Sequence, residues 1–115
     1  MATSLSPNRG DLLRRELDRY VAVLVEQMAP DKVIAFGSLA SGEPHAESDI
    51  DLVVVARTDL PFWKRLRKVR RLLQPRVATD LLVYTPEEFE VLCRERPFIR
   101  EEILVKGRVV YERSG

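Results

Sequence analysis

Short apolar runs alternate with amphipathic stretches along this chain, and that alternation constrains the fold more than any other feature. Residues 11–28 set Leu13, Leu17, Tyr20, Leu24 and Met28 at three- and four-residue spacing among Arg14, Arg15, Asp18 and Arg19, which predicts an amphipathic helix. Ala29-Pro30-Asp31 breaks it. Val33-Ile34-Ala35-Phe36 then reads as a strand covered on both faces, and Ile50 to Val55, dense in β-branched residues, reads as a second. Pro61 starts a helix whose apolar face is Phe62, Leu66, Val69 and Leu73, and Gln74-Pro75 stops it. Val77 to Tyr84 is a third predicted strand. Thr85-Pro86-Glu87-Glu88 carries the hydroxyl cap, first-turn proline and early acids of a helix start. Beyond Pro97 a helical turn or two is expected around Phe98, Ile99 and Ile103, and Gly107 leads into a short terminal strand at Arg108 to Tyr111. The predicted class is α/β (α+β), a small mixed sheet of three to four strands flanked by helices. Residues 60–76 are long enough for a crossover, so the second and third strands can lie parallel and adjacent.

At 115 residues the chain is expected to form one domain over residues 1–115, with residues 1–9 a flexible start. No long uncharged apolar stretch and no basic leader are present, which predicts a soluble, cytoplasmic protein without membrane contact. Nineteen basic residues against eighteen acidic ones remove the global electrostatic case for a dedicated nucleic-acid binder. Any anion site must be local. The single cysteine, Cys93, excludes an internal disulfide and reads as an inert, partly buried thiol.

The chemistry concentrates in Gly37-Ser38, ten intervening residues, and Asp49-Ile50-Asp51. Side chains alternate along a strand, so Asp49 and Asp51 share one face and repel each other unless a cation lies between them. Asp80 stands in the third apolar run, where an unpaired carboxylate costs several kcal/mol to desolvate. If the second and third strands are parallel neighbours, the three aspartates can meet around one ion. Oxygen ligands without a histidine or cysteine cluster favour a hard cation, magnesium, with manganese as a substitute. Gly37 would let a phosphate approach the backbone, and the Ser38 hydroxyl could donate to it.

Gly37-Ser38, the ten-residue spacer, Asp49-x-Asp51 and a third aspartate on a later strand resemble the signature of the DNA polymerase beta-like nucleotidyltransferase superfamily. The short length, the Thr85-Pro86-Glu87-Glu88-Phe89-Glu90 segment and the closing strand resemble its minimal branch, so the likeness spans roughly residues 10 to 112. The resemblance implies that Asp49 and Asp51 bind two magnesium ions. It implies further that Asp80 helps ligate one of them and assists deprotonation of an acceptor hydroxyl, and that Gly37 and Ser38 hold the triphosphate. Two-ion phosphoryl chemistry needs such residues to position groups and screen charge, without a covalent nucleophile. Leu39 departs from the pattern, since members of the branch often carry arginine directly after Gly-Ser. Bacterial members commonly act as the antitoxin of a HEPN-domain partner, in some cases by adenylylating a tyrosine on it. ATP is accordingly the expected substrate, a HEPN-domain protein the expected partner and AMP the expected transferred group.

Other residues invite simpler readings. Lys64, Arg65, Arg67, Lys68, Arg70, Arg71 and Arg76 are expected on a solvated helix face, His45 as a loop bystander and Trp63 in packing rather than base stacking. Three functions stay open: an active transferase, an antitoxin that masks its partner without catalysis, and a nucleic-acid-binding regulator using the basic helix, which the near-neutral charge disfavours. The small size also leaves room for a homo-oligomer or a tight heteromer to complete the active site.

Overall fold

The structure, a computed structural model, describes residues 9–41 and 49–114. Its elements run α1 (Arg9–Met28), β1 (Lys32–Phe36), α2 (Ser38–Ser41), β2 (Ile50–Val55), α3 (Phe62–Leu73), β3 (Thr79–Tyr84), α4 (Pro86–Glu95), a π-helical segment (Ile99–Val105) and β4 (Arg108–Glu112). The sheet has four strands in the order β3-β2-β1-β4. β2 and β3 are parallel, and β1 runs antiparallel to both β2 and β4. The expected α/β architecture and the parallel β2/β3 pair are both present. Of the start expected to be flexible, residues 1–8 lie outside the described residues and Arg9 opens α1.

Alternating burial along the strands splits the interior into two layers. Val33, Ala35, Leu52, Val54, Leu81 and Val83 face α1 and α3, joined by Leu13, Leu17, Tyr20, Leu24, Val69 and Leu73. Ile34, Val53 and Val55 face the other way, against Phe89 of α4 and Ile99 and Ile103 of the π-helical segment. This double cover is why the central strands are almost wholly apolar. No helix among the described residues is long and apolar enough to cross a membrane.

Local chemistry sets the element ends. Ala29 turns into the left-handed region at φ 47° and donates to the Leu24 carbonyl, closing α1. Gln74 does the same for α3 at φ 45°, donating to Arg70. Thr85 and Glu88 form a reciprocal capping box at the start of α4, with Pro86 at the first position. Beyond α4 the chain winds wider than the expected α-turns, and Lys106 N–H reaches back to the Glu101 carbonyl across five residues. Gly107 then brings the backbone so near this segment that a Cβ there would strike the Ile103 carbonyl oxygen.

Arg65 corrects the expectation of a fully solvated basic helix, because its side chain is only 10% exposed. It forks onto the Glu88 carboxylate at 2.6 and 3.1 Å and donates to the Leu60 and Val83 carbonyls, tying α3 to α4 across the end of β3. β3 is an edge strand, and its Ala78 and Tyr84 flanks turn their carbonyls toward β2 and the residue after it. The outward carbonyls of Thr79 and Val83 are taken by Arg70 and Arg65 instead.

Candidate active site

The site is assembled by strand register. In the parallel pair Asp51 stands directly beside Asp80, and in the antiparallel pair Asp51 stands opposite Phe36, the last residue of β1. Gly37 follows at once, so the glycine and two carboxylates form a row across three strands. Gly37 holds φ +73°, a conformation that side chains rarely adopt, and a Cβ on it would overlap the Asp51 Oδ2 atom. The glycine is therefore required both by its dihedral and by the carboxylate packed on it. Ser38 begins α2 immediately beyond.

Electrostatics mark Asp51. Burial pushes its carboxyl up from the ordinary 3.8 to about 6, helped by a hydrogen bond shared with Asp80 and by the negative charges of Asp80 and Asp49. A hydrogen bond between two carboxyls needs a proton between them, and that is the place where a cation can substitute. Asp49 lies just before β2, near enough to act on Asp51 through its charge. The three expected site aspartates thus sit at one end of the sheet, but only Asp51 and Asp80 are in contact. Among the described residues no three His, Cys, Asp or Glu side chains close around a point where an ion could sit.

A family profile described as "Polymerase beta, Nucleotidyltransferase" matches residues 19–115. The chain belongs to that nucleotidyltransferase family. A nucleotidyltransferase from Sulfolobus solfataricus is similar in structure, with 17% identity and a TM-score of 0.66 over 96% of this chain and 94% of that one. A toxin-antitoxin solved with AMP-PNP is similar over 84% of this chain and 73% of that one, at 20% identity and TM-score 0.54. A mutant of the toxin-antitoxin MntA-HpeT is similar at 19% identity and TM-score 0.53, over 85% of this chain and 73% of that one. No curated protein matches the chain at a significant level.

In this nucleotidyltransferase the residue before Asp80 is held from three directions. Thr79 is buried, its hydroxyl lies 2.7 Å from the Tyr20 hydroxyl and donates to the Val77 carbonyl, and its own carbonyl accepts from Arg70 at 2.6 Å. Tyr20 and Arg70 therefore fix where β3 begins and, with it, where Asp80 stands. In the sequence Tyr20 is part of an apolar stripe. The available signal was a hydroxyl in a stripe otherwise made of Leu and Met, which asks for a buried partner.

A second support lies beside it. Glu16 on α1 is 7% exposed and accepts from Arg19 at 2.7 and 2.9 Å and from the Arg76 backbone N–H at 2.8 Å. Arg19 in turn donates to the Leu73 carbonyl, so the seam between α1 and the end of α3 is locked. Leu39, in the position where an arginine is common, is buried in the larger core rather than turned toward a phosphate. Cys93 is partly buried, and burial pushes its thiol pKa up. His45 lies outside the described residues.

Proposed function

We propose that this domain moves AMP from ATP onto a hydroxyl of a protein partner, a tyrosine of a HEPN-type toxin, and so acts as an antitoxin. The observation that carries the reading is the row of Gly37, Asp51 and Asp80 across β1, β2 and β3 in a nucleotidyltransferase domain. Its support for a toxin partner is the likeness to two toxin-antitoxin structures, and for ATP the AMP-PNP bound in one of them. In this reading Asp49, Asp51 and Asp80 are the metal ligands and catalytic carboxylates, and Gly37 and Ser38 seat the triphosphate.

The residues fit hard divalent cations. The donors are all carboxylate oxygens, Asp51 and Asp80 crowd together at the end of the sheet, and Gly37 leaves the Asp51 oxygen uncovered by any Cβ. Asp49, Asp51 and Asp80 would hold magnesium there, which would supply charge screening for the triphosphate and leaving pyrophosphate and would acidify the attacking hydroxyl. Asp80 accepts the acceptor's proton, the acceptor oxygen bonds to the α-phosphorus, and the bond from that phosphorus to the bridging oxygen breaks to release pyrophosphate. The Gly37 and Ser38 turn orients the phosphates, while Tyr20 and Arg70 keep Asp80 in register with Asp51.

Incubation with labelled ATP and magnesium, with and without the product of the neighbouring gene, tests the proposal. Label on a tyrosine of that product is expected, and Asp51→Asn is expected to cut the transfer about a thousandfold. If a folded, metal-binding protein transfers nothing from any of the four triphosphates yet still neutralises the partner, the transferase reading fails. Masking would then be the function, as the buried Leu39 would favour.

A further inference from the structure

The near-neutral chain hides a steep local imbalance. Residues 62–76 hold seven basic side chains and no acidic one, so the remainder of the chain is net acidic. Arg65 is consumed by Glu88. Lys64, Arg67, Lys68, Arg70, Arg71 and Arg76 are exposed, and none pairs with a carboxylate among the described residues. Arg57, Arg94 and Lys106 elsewhere each have an acidic neighbour, and the exposed cations without one, such as Arg15, Arg96 and Arg108, are not gathered on one helix face as those of α3 are.

Trp63 lies within this stripe. It is 55% exposed, and the Lys64 ammonium and the Arg67 guanidinium each lie 5.3 Å from its ring centre. An indole left in water between two cations is neither core nor cap. The three- and four-residue spacing of Lys64, Arg67, Lys68 and Arg71 puts their charges on one face of α3, and their long side chains reach beyond the roughly 10 Å of helix that carries them.

We propose that the exposed face of α3 binds single-stranded nucleic acid, with phosphates on Lys64, Arg67, Lys68 and Arg71 and a base stacked on Trp63. Base stacking on an aromatic ring beside backbone-tracking cations is the chemistry that recognises such a strand. An acidic protein fits less well, because protein interfaces place an uncharged apolar centre inside a polar rim and this stripe is charged along its length. The stripe runs along the outer face of α3, a helix joined to α4 by Arg65 and Glu88 and to the start of β3 by Arg70, and binding at that face does not require the domain to transfer AMP.

Trp63 is the only tryptophan in the chain, so its fluorescence reports this surface alone. Titration of the full chain with a short single-stranded oligoadenylate should quench it. Four neutralised phosphates give a log–log salt slope of about −3, so affinity should fall about fiftyfold between roughly 50 and 200 mM salt. The triple variant Lys64→Gln/Arg67→Gln/Arg71→Gln should flatten that slope by about 2. The control Arg94→Gln/Arg96→Gln/Lys106→Gln removes equal charge elsewhere and should leave it unchanged. With a labelled oligonucleotide, Trp63→Leu should weaken binding about tenfold. No quenching at the lower salt overturns the proposal, as does equal weakening by the control. Equal binding of polyglutamate also overturns it and assigns the stripe to an acidic protein.

Discussion

The carboxylate end of the sheet and the seam between α1 and α3 each shelter an acid from water, and they treat it in opposite ways. At the seam, the guanidinium of Arg19 meets Glu16 head-on and holds its carboxyl near 2, well under the ordinary 4.5, with Arg76 N–H adding to the effect. At the sheet end, Asp51 is sheltered with only other acids beside it, and its carboxyl rises to about 6. Burial acts in the same direction on both. The difference lies in the counterion: one acid has its cation built into the fold, and the other has only carboxylates acting on it. A paired buried acid is architecture, whereas an unpaired one marks where a ligand belongs.

Removing the seam's acid should have the larger effect on stability. Glu16→Gln strands Arg19 and weakens the Arg76 contact, so chemical denaturation should show a loss of about 3 kcal/mol with little change in magnesium affinity. The pH dependence carries the same sign: because the folded-state pKa of Glu16 is depressed, its stabilisation is complete above the unfolded value of 4.5 and vanishes as pH falls toward 2.

Asp51→Asn should move stability the other way. The folded-state pKa of Asp51 is raised, so its charged form destabilises the metal-free protein above about pH 6, and that cost is relieved as pH falls from 6 toward 3.8. Without divalent ions at pH 7 the asparagine variant should be more stable by on the order of 1 kcal/mol after allowance for partial solvent screening, read as a higher melting temperature. Saturating magnesium should erase or reverse the difference, because only the aspartate protein gains from the ion. A variant that is less stable than the parent in chelator would show that the two acids are not opposites.

The smallest effect is expected at Tyr20→Phe, which removes a buried hydroxyl from Thr79 while Val77 still accepts from it. A stability loss of about 1 kcal/mol is expected by thermal melting. A fall in kcat should accompany it and exceed any change in KM for ATP, since the substitution displaces Asp80 and leaves the nucleotide's own binding groups in place.

Much of this arrangement is legible in the sequence. β2 is predicted with its observed ends, α3 stops where Gln74-Pro75 says it should, and the Thr85 cap forms as read. The pairing of Asp51 with Asp80 follows from a crossover long enough to make β2 and β3 parallel. What escapes is set by contacts between distant positions. Arg65 looks like its solvated neighbours until α4 brings Glu88 to it from 23 residues away, and Tyr20 looks like a core residue until Thr79 arrives from 59 away. Asp49 is named in the sequence by alternation with Asp51, and it lies just before the strand, where the ladder no longer fixes its reach. The widened turn of the π-helical segment leaves no periodic trace in so short a stretch.

The two arginines that occupy the outward carbonyls of β3 have a consequence for association. A neighbouring chain that sought to extend this sheet at that margin would find the acceptors at both ends of the strand, Thr79 and Val83, already bonded, and would have to displace two guanidinium groups, one of them buried against Glu88. Sheet extension is thereby steered to the opposite margin at β4, so the border beside the carboxylates resists the intermolecular stacking through which exposed strands turn into fibres.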